Sequence, residues 1–233
     1  MSVDVIYATN TYSGFNLSNS GVYSTARSDL AGSGVGTTGY VGQFYDAGSG
    51  YYCYQTPLMF DTSVVGTDAI SYAILSLWLA TDSSTTDLVV QARAISSYAS
   101  LAASWVAGAS LSGQTLLAHI STSGIGATGA YKTLTDDAMP ANINKTGTTY
   151  LLLSSDRHAA GNTPTGSEFV IFDSANYTGT TRDPYLTITH APAGFLAKVW
   201  RSGGWTTGYV QVRRSGVWVT PTGLKVRRSG GWT

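Results

Sequence analysis

Apolar and polar positions alternate along this chain in short runs. Strands are legible at 3–8, 40–46, 51–60, 70–80, 87–96, 115–121, 148–154, 167–173 and 184–190. Each is rich in β-branched and aromatic residues and bounded by Gly, Ser, Asn, Asp or Pro. The stretch AISYAILSLWLA at 69–80 puts Ala73, Leu75, Leu77 and Leu79 on one face and Tyr72, Ile74, Ser76 and Trp78 on the other. Both faces are mostly apolar, which predicts a central strand covered on both sides. SSYASLAASWVAG at 96–108 fits a short helix or a loop, and the pattern as a whole leaves room for one or two helical turns at most. Roughly ten strands in about 190 residues, with no helices alternating between them, predict an all-β fold, a jelly-roll β-sandwich. The sandwich is placed at 40–191, with 1–39 as its first strands or as an arm.

APAG at 191–194 follows the last of these strands and reads as a boundary. Beyond it KVWRSGGWT (198–206) returns as QVRRSGVWV (211–219) and as KVRRSGGWT (225–233). In each copy Ser-Gly sits between two strand-like runs, which predicts three β-hairpins with two-residue loops in a small C-terminal region, 195–233. That register sets Trp200 opposite Trp205, Arg213 opposite Trp218 and Arg227 opposite Trp232. It also pairs Val199 with Thr206, Val212 with Val219 and Val226 with Thr233. An Arg over an indole gains about 0.5–1 kcal/mol. An isolated hairpin is marginal in water, so the copies either stack into one small sheet or each lean on a partner surface. Trp200, Arg201, Trp205, Arg213, Trp218, Arg227 and Trp232 are accordingly the candidate assembly contacts.

Charge sharpens this division. Only 11% of the 233 residues are charged, against 43% hydrophobic, with 27 Gly and 15 Tyr. Few charges and many aromatics speak against disorder and for short strands joined by tight turns. From Phe195 onward there are seven Lys and Arg and no acid, while the preceding 194 residues hold 6 basic and 13 acidic side chains, a net −7. An acidic body thus carries a basic tail. Aromatic-plus-Arg content could stack on single-stranded nucleic acid, but the fixed hairpin spacing and modest charge argue for a folded protein-binding unit instead. A single cysteine, Cys53, rules out an internal disulfide and reads as a buried thiol. The N-terminal MSVDVIYATN lacks the basic-then-apolar pattern of a signal peptide, and no window is apolar for the roughly 18 residues of a membrane span.

Chemistry is sparse. His119 and His190 read as strand residues, while His158 lies with Asp156 and Arg157 on an expected loop. No HExxH, Cys/His cluster, GxSxG elbow or phosphate-binding loop appears, and the single glutamate, Glu168, begins a strand. Asp136 and Asp137 are adjacent, so they do not form the paired carboxylates across a cleft that a glycosidase needs. The chain is therefore read as a non-enzyme with no cofactor and no defined metal site. DSANYTGTTRD at 173–183 still offers oxygens from Asp173, Asn176 and Asp183 that suit calcium, at an unspecific spacing. Binding is better supported, since GYVGQFYDAGSGYYCYQ (39–55) gathers Tyr40, Phe44, Tyr45, Tyr51, Tyr52 and Tyr54 around a Gly-rich turn. Alternation puts Tyr52 and Tyr54 on one face near Tyr40 and leaves Tyr51 with Cys53 on the other. Aromatic rings with polar tips suit sugar faces and protein partners alike. Tyr45, Tyr51, Tyr52, Trp105 and His158 are the candidate glycan-binding residues.

YQTPLMFDTSVVGTDAISYAILSLWLA (54–80) and RDPYLTITH (182–190) resemble the core-strand signatures of jelly-roll domains named after a DNRLRE motif and related to carbohydrate-binding modules. DLVVQARAIS and Trp105 fall between them in the family's order, and the likeness spans roughly 40–190, although the DNRLRE hexapeptide is absent. It implies the fold, and sugar binding only by analogy. The C-terminal repeats resemble the KVW-x-G-x-W units that close minor tail and related virion proteins of phages. That resemblance implies a virion component assembled in the host cytoplasm and displayed on the particle. Other virion proteins would be its partners, in a homo-oligomer of trimeric or higher cyclic symmetry, with a host-surface glycan as a further partner. The alternative is a bacterial carbohydrate-binding module or accessory domain of a carbohydrate-active enzyme.

Overall fold

The computed structural model describes residues 1–9 and 11–191, and beyond them the backbone pairing of 196–201, 204–209, 212–214, 217–219, 227–228 and 231–232. The body is built on thirteen strands. They are β1 (Ser2–Tyr7), β2 (Gly14–Ser20), β3 (Gly32–Val35), β4 (Thr38–Asp46), β5 (Gly50–Asp61), β6 (Ala69–Asp82) and β7 (Val89–Ala94), followed by β8 (Leu116–Ser121), β9 (Ala130–Thr133), β10 (Thr135–Asp136), β11 (Thr148–Ser155), β12 (Ser167–Asp173) and β13 (Tyr185–Ala191). Every expected strand is present within two residues of its expected limits; β2, β3, β9 and β10 are additional. Among the described residues all strand pairs are antiparallel, in the order β1-β13-β6-β12-β4-β5-β11-β7-β8-β10, with β2 joining β3 and β5 and β9 joining β6.

β5 makes this an all-β sandwich. Its residues 50–55 pair with β2 and β4, whereas Thr56–Asp61 pair with Leu153–Thr148 of β11. The changeover falls beside Pro57, a residue that has no N–H to give a ladder. One layer (β1, β13, β6, β12, β4, β2) therefore continues into the other (β11, β7, β8, β10). Between them lies one core: Leu75, Leu77, Leu79, Val170, Phe172, Leu186 and Ile188 from the first, Val90, Leu117, Leu151 and Leu153 from the second, with Leu58 and Phe60 from β5 itself. Each such side chain contributes about 1.5–3 kcal/mol on burial.

β6 differs from its expectation on one face. Ala73, Leu75, Leu77 and Leu79 are fully buried, but on the opposite face only Ser76 is, while Tyr72 is exposed and Ile74 and Trp78 are half-buried. Among the described residues no second layer covers that face, and Trp78 is sheltered by neighbouring side chains such as Tyr131 and Arg182. Helix is also more frequent than expected: α1 (Tyr23–Ser28), α2 (Gly108–Leu111), α3 (Met139–Asn142) and α4 (Asp156–Ala160), with 3-10 turns at Ser63–Val65 and Ala102–Ser104. The 96–108 stretch is mostly loop around the second of these turns. All are between one and two turns long, too short for a periodic signal.

Past the body, β14 (Leu196–Arg201) pairs with β15 (Gly204–Tyr209), β16 (Val212–Arg214) with β17 (Val217–Val219) and β18 (Arg227–Arg228) with β19 (Gly231–Trp232). The register sets Trp200 opposite Trp205, Arg213 opposite Trp218 and Arg227 opposite Trp232, as the repeats predict. The three ladders are separate two-stranded sheets. The Val226–Thr233 pair, the 192–194 part of the boundary, and the side-chain contacts of Trp200, Arg201, Trp205, Arg213, Trp218, Arg227 and Trp232 lie outside the described residues.

Candidate functional site

The first layer is inverted at its β2–β5–β4–β12 end. Strand alternation normally sends apolar residues inward, yet here the inward positions are Asn16, Ser18, Gln43, Gln55 and Glu168, all buried, together with Cys53. The outward positions are Phe15, Tyr40, Phe44, Tyr52, Tyr54 and Phe169, all half-buried. Their rings form one continuous surface. Phe15 meets Tyr40 at 4.6 Å between centroids, Tyr40 meets Tyr54 at 5.4 Å and Tyr54 meets Phe169 at 5.7 Å. Tyr52 lies parallel to Tyr54 at 6.3 Å and meets Phe44 at 5.6 Å. Burial among its neighbours pushes the Tyr54 hydroxyl up to about 12, so it stays a neutral donor and acceptor.

Gly42 makes this surface possible. It sits on β4 opposite both Tyr54 and Phe169, and having no side chain lets those two rings close over the strand. Its φ is +128°, and a Cβ there would come 2.2 Å from the Glu168 carbonyl oxygen. Only glycine tolerates both conditions.

Hydrogen bonds offset the polar interior beneath the rings. Glu168 accepts from Arg157 Nε (2.7 Å), Arg157 Nη2 (3.0 Å) and Gln43 Nε2 (2.7 Å). Gln43 also donates to the Asn162 carbonyl, and its own carbonyl accepts from Tyr23 Oη of α1 at 2.8 Å. Gln55 exchanges two bonds with the Val106 backbone, and Asn16 donates to Ser104 Oγ at 2.8 Å. Loops and short helices are thereby held on the inner side, and among the described residues the rings of the aromatic side stay half-exposed.

The five candidate glycan residues are divided by this arrangement. Tyr52 belongs to the aromatic surface. Tyr45 and Tyr51 pair across the ladder at 4.7 Å on the opposite side, where Tyr51 also meets Tyr23 of α1. Trp105 is half-buried, and its Nε1 donates to the Ser28 carbonyl at 3.1 Å. His158 corrects the expected exposed loop: it lies in α4, is completely buried and is 5.8 Å from the Trp105 ring, so it reaches no surface ligand. Burial lowers its pKa to about 4, and the neutral ring sits 3.3 Å from the Arg27 carbonyl through Nε2. The sequence SDRHAAG did carry a helix signature: Ser155 caps the His158 N–H, Asp156 opens the first turn, and Gly161 closes the helix at φ 78°. Phe15 and Phe169 were missed, since no local pattern tells that a half-apolar strand faces outward.

A second cluster lies on the same side of the layer. Asp173 follows Phe169 and Ile171 on the outward face of β12, but it is covered to 4% exposure. Asp183, just before β13, is 5% exposed. Arg182 Nη1 stands 3.6 Å from Asp173 Oδ2, and its guanidinium lies over the rings of Trp78 (5.1 Å) and Tyr177 (4.6 Å). Tyr131 Oη donates to the Asp183 backbone carbonyl at 3.0 Å. Burial raises the pKa of both carboxyls, that of Asp183 to about 6, with the Asp173 charge adding to the rise.

The other two histidines bond to carboxylates within the body. His119 of β8 bonds to Asp137 at 2.7 Å, and Asp136 accepts from the Met139 N–H to start α3. His190 sits between Asp4 and Asp68 at 2.7 and 2.8 Å, and both bonds raise its pKa. Among the described residues no group of three or more His, Cys, Asp or Glu could hold a metal, and no helix is long and apolar enough to cross a membrane. Compared with known proteins, the chain matches no protein-family model and no curated protein.

Proposed function

We propose that the protein is a non-catalytic virion component whose sandwich binds a host-surface glycan and whose C-terminal hairpins hold it in the particle. The observation that carries the binding reading is the open surface of Phe15, Tyr40, Phe44, Tyr52, Tyr54 and Phe169. Six half-exposed rings, three of them tipped by the hydroxyls of Tyr40, Tyr52 and Tyr54, give an apolar platform with polar points, which fits the C–H faces of pyranose rings and the hydroxyls around them. The basic repeats and their resemblance to phage minor tail proteins support the assembly reading, because a positive tail is drawn to an acidic neighbour and set in register by it.

A glycan array and a cell-envelope pull-down test the first half. The folded chain is expected to bind, and Phe44→Ala/Tyr52→Ala to weaken that binding by about tenfold or more. A folded wild type that binds nothing, or a double variant that binds equally well, would overturn it. Removal of 195–233 tests the second half: the body should fold yet stay out of particles, and normal incorporation would refute the assembly role.

A further inference from the structure

We propose that Asp173 and Asp183 form a site for a divalent cation, Ca²⁺ by preference, that ties the end of β12 to the start of β13. Asp173 Oδ2 and Asp183 Oδ1 are both shut off from solvent, and neither has a hydrogen-bond partner. Buried polar atoms are normally satisfied; of the eight buried side-chain atoms without a partner among the described residues, these two are the carboxylate oxygens, the only ones able to carry a charge that a cation would meet. Glu168, equally buried, accepts three hydrogen bonds, and the turn carboxylates Asp46, Asp61 and Asp82 each take a serine hydroxyl and a backbone N–H.

The charge nearest the pair is Arg182, but its 3.6 Å approach to Asp173 is too long for a hydrogen bond, and its guanidinium is stacked on Trp78 and Tyr177. Two neighbouring carboxylates with orphaned oxygens repel each other at low dielectric. Burial raises the pKa of both, the Asp173 charge adds to the rise at Asp183, and Arg182 offsets only part of it at Asp173. A cation between them would supply the missing partner to both oxygens at once. Ca²⁺ suits the place better than Mg²⁺, because it accepts six to eight oxygens in irregular geometry and takes backbone carbonyls and water among them. No third carboxylate joins the pair among the described residues, so affinity should be modest, with Kd on the order of 10⁻⁴ to 10⁻³ M. Arg182 would act as the competing charge.

The site is independent of glycan binding, so its test reads the ion alone. The EDTA-stripped full chain is titrated with CaCl₂ in a calorimeter, and with Tb³⁺ while exciting the indoles. The expected result is a single class of site whose terbium emission is displaced by Ca²⁺ and is absent in Asp183→Asn. Arg182→Gln should bind Ca²⁺ tighter, on the order of tenfold. Trp78→Phe should keep the calcium heat while losing most of the indole-sensitised emission, which locates the ion even if Asp183→Asn does not fold. Three results would overturn the proposal: neither heat nor emission at about 10 mM ion, emission unchanged in Asp173→Asn and Asp183→Asn, or weaker binding in Arg182→Gln.

Discussion

Removing Arg157 should expose what the polar layer under the aromatic surface contributes. Glu168 is 1% exposed and takes its charge compensation from the two-pronged bond to Arg157, with Gln43 adding one neutral donor. Arg157→Ala deletes two of those three bonds and leaves a buried carboxylate without a counter-charge, a change that costs about 3–5 kcal/mol in closed interiors. The Arg157 side chain is 22% exposed, so water can enter the vacated space, and the expected loss is near the lower end, about 3 kcal/mol. Glu168→Gln keeps the shape and the Gln43 contact, removes the charge, and leaves Arg157 partly solvated; about 1–2 kcal/mol is expected. With the carboxylate gone, Arg157→Ala has little left to damage. The double variant should therefore be more stable than the sum of the singles by at least about 1 kcal/mol. Urea unfolding followed by Trp and Tyr fluorescence measures all three, provided the slope with denaturant is unchanged. An Arg157→Ala protein within about 0.5 kcal/mol of wild type, or strict additivity in the double variant, would refute the account.

Three further outcomes are expected. Hydrogen bonds to Asp4 and then Asp68 hold the pKa of His190 above its ordinary 6.5; the stability they add is complete below about pH 6.5 and lost as pH rises through the raised folded value. His190→Gln should remove that part of the slope in a pH series of thermal unfolding, and equal slopes in both proteins would count against the assignment. Gly42→Ala drives a Cβ into the Glu168 carbonyl at a φ of +128°, so it should cost more than about 2 kcal/mol or abolish folding, as read by circular-dichroism melting. Cys53, buried and with its thiol pushed up to about 12 by desolvation, should ignore a thiol reagent at about pH 8 until denaturant is added; fast labelling of the native chain would contradict its burial.

Strand alternation alone located nine strands of the body and the register of the three tail hairpins, because both signals are local. Period-two patterning marks a strand wherever one face is apolar, and a two-residue loop leaves its flanking residues only one pairing. β2 escaped for the opposite reason. GFNLSNS looks like a loop by composition, yet Asn16 and Ser18 point inward and Phe15 and Leu17 outward. Which side of a half-apolar strand meets the core depends on what covers it; α1 follows β2 directly, but α4 and the 96–108 loop come from distant parts of the chain. The same holds for the candidate sites. The tyrosine-rich stretch and the 173–183 acids were visible as residues, but Tyr51 and Tyr52 went to opposite sides, His158 was sealed inside, and Phe15 and Phe169 joined the platform from remote strands. Sequence by itself determined where the chain extends and turns, since those choices are made between near neighbours. Only the tertiary structure decided which faces were covered and which carboxylates were left without partners, since burial depends on contacts between residues far apart in sequence, such as Asn16 with Ser104 and Gln43 with Glu168.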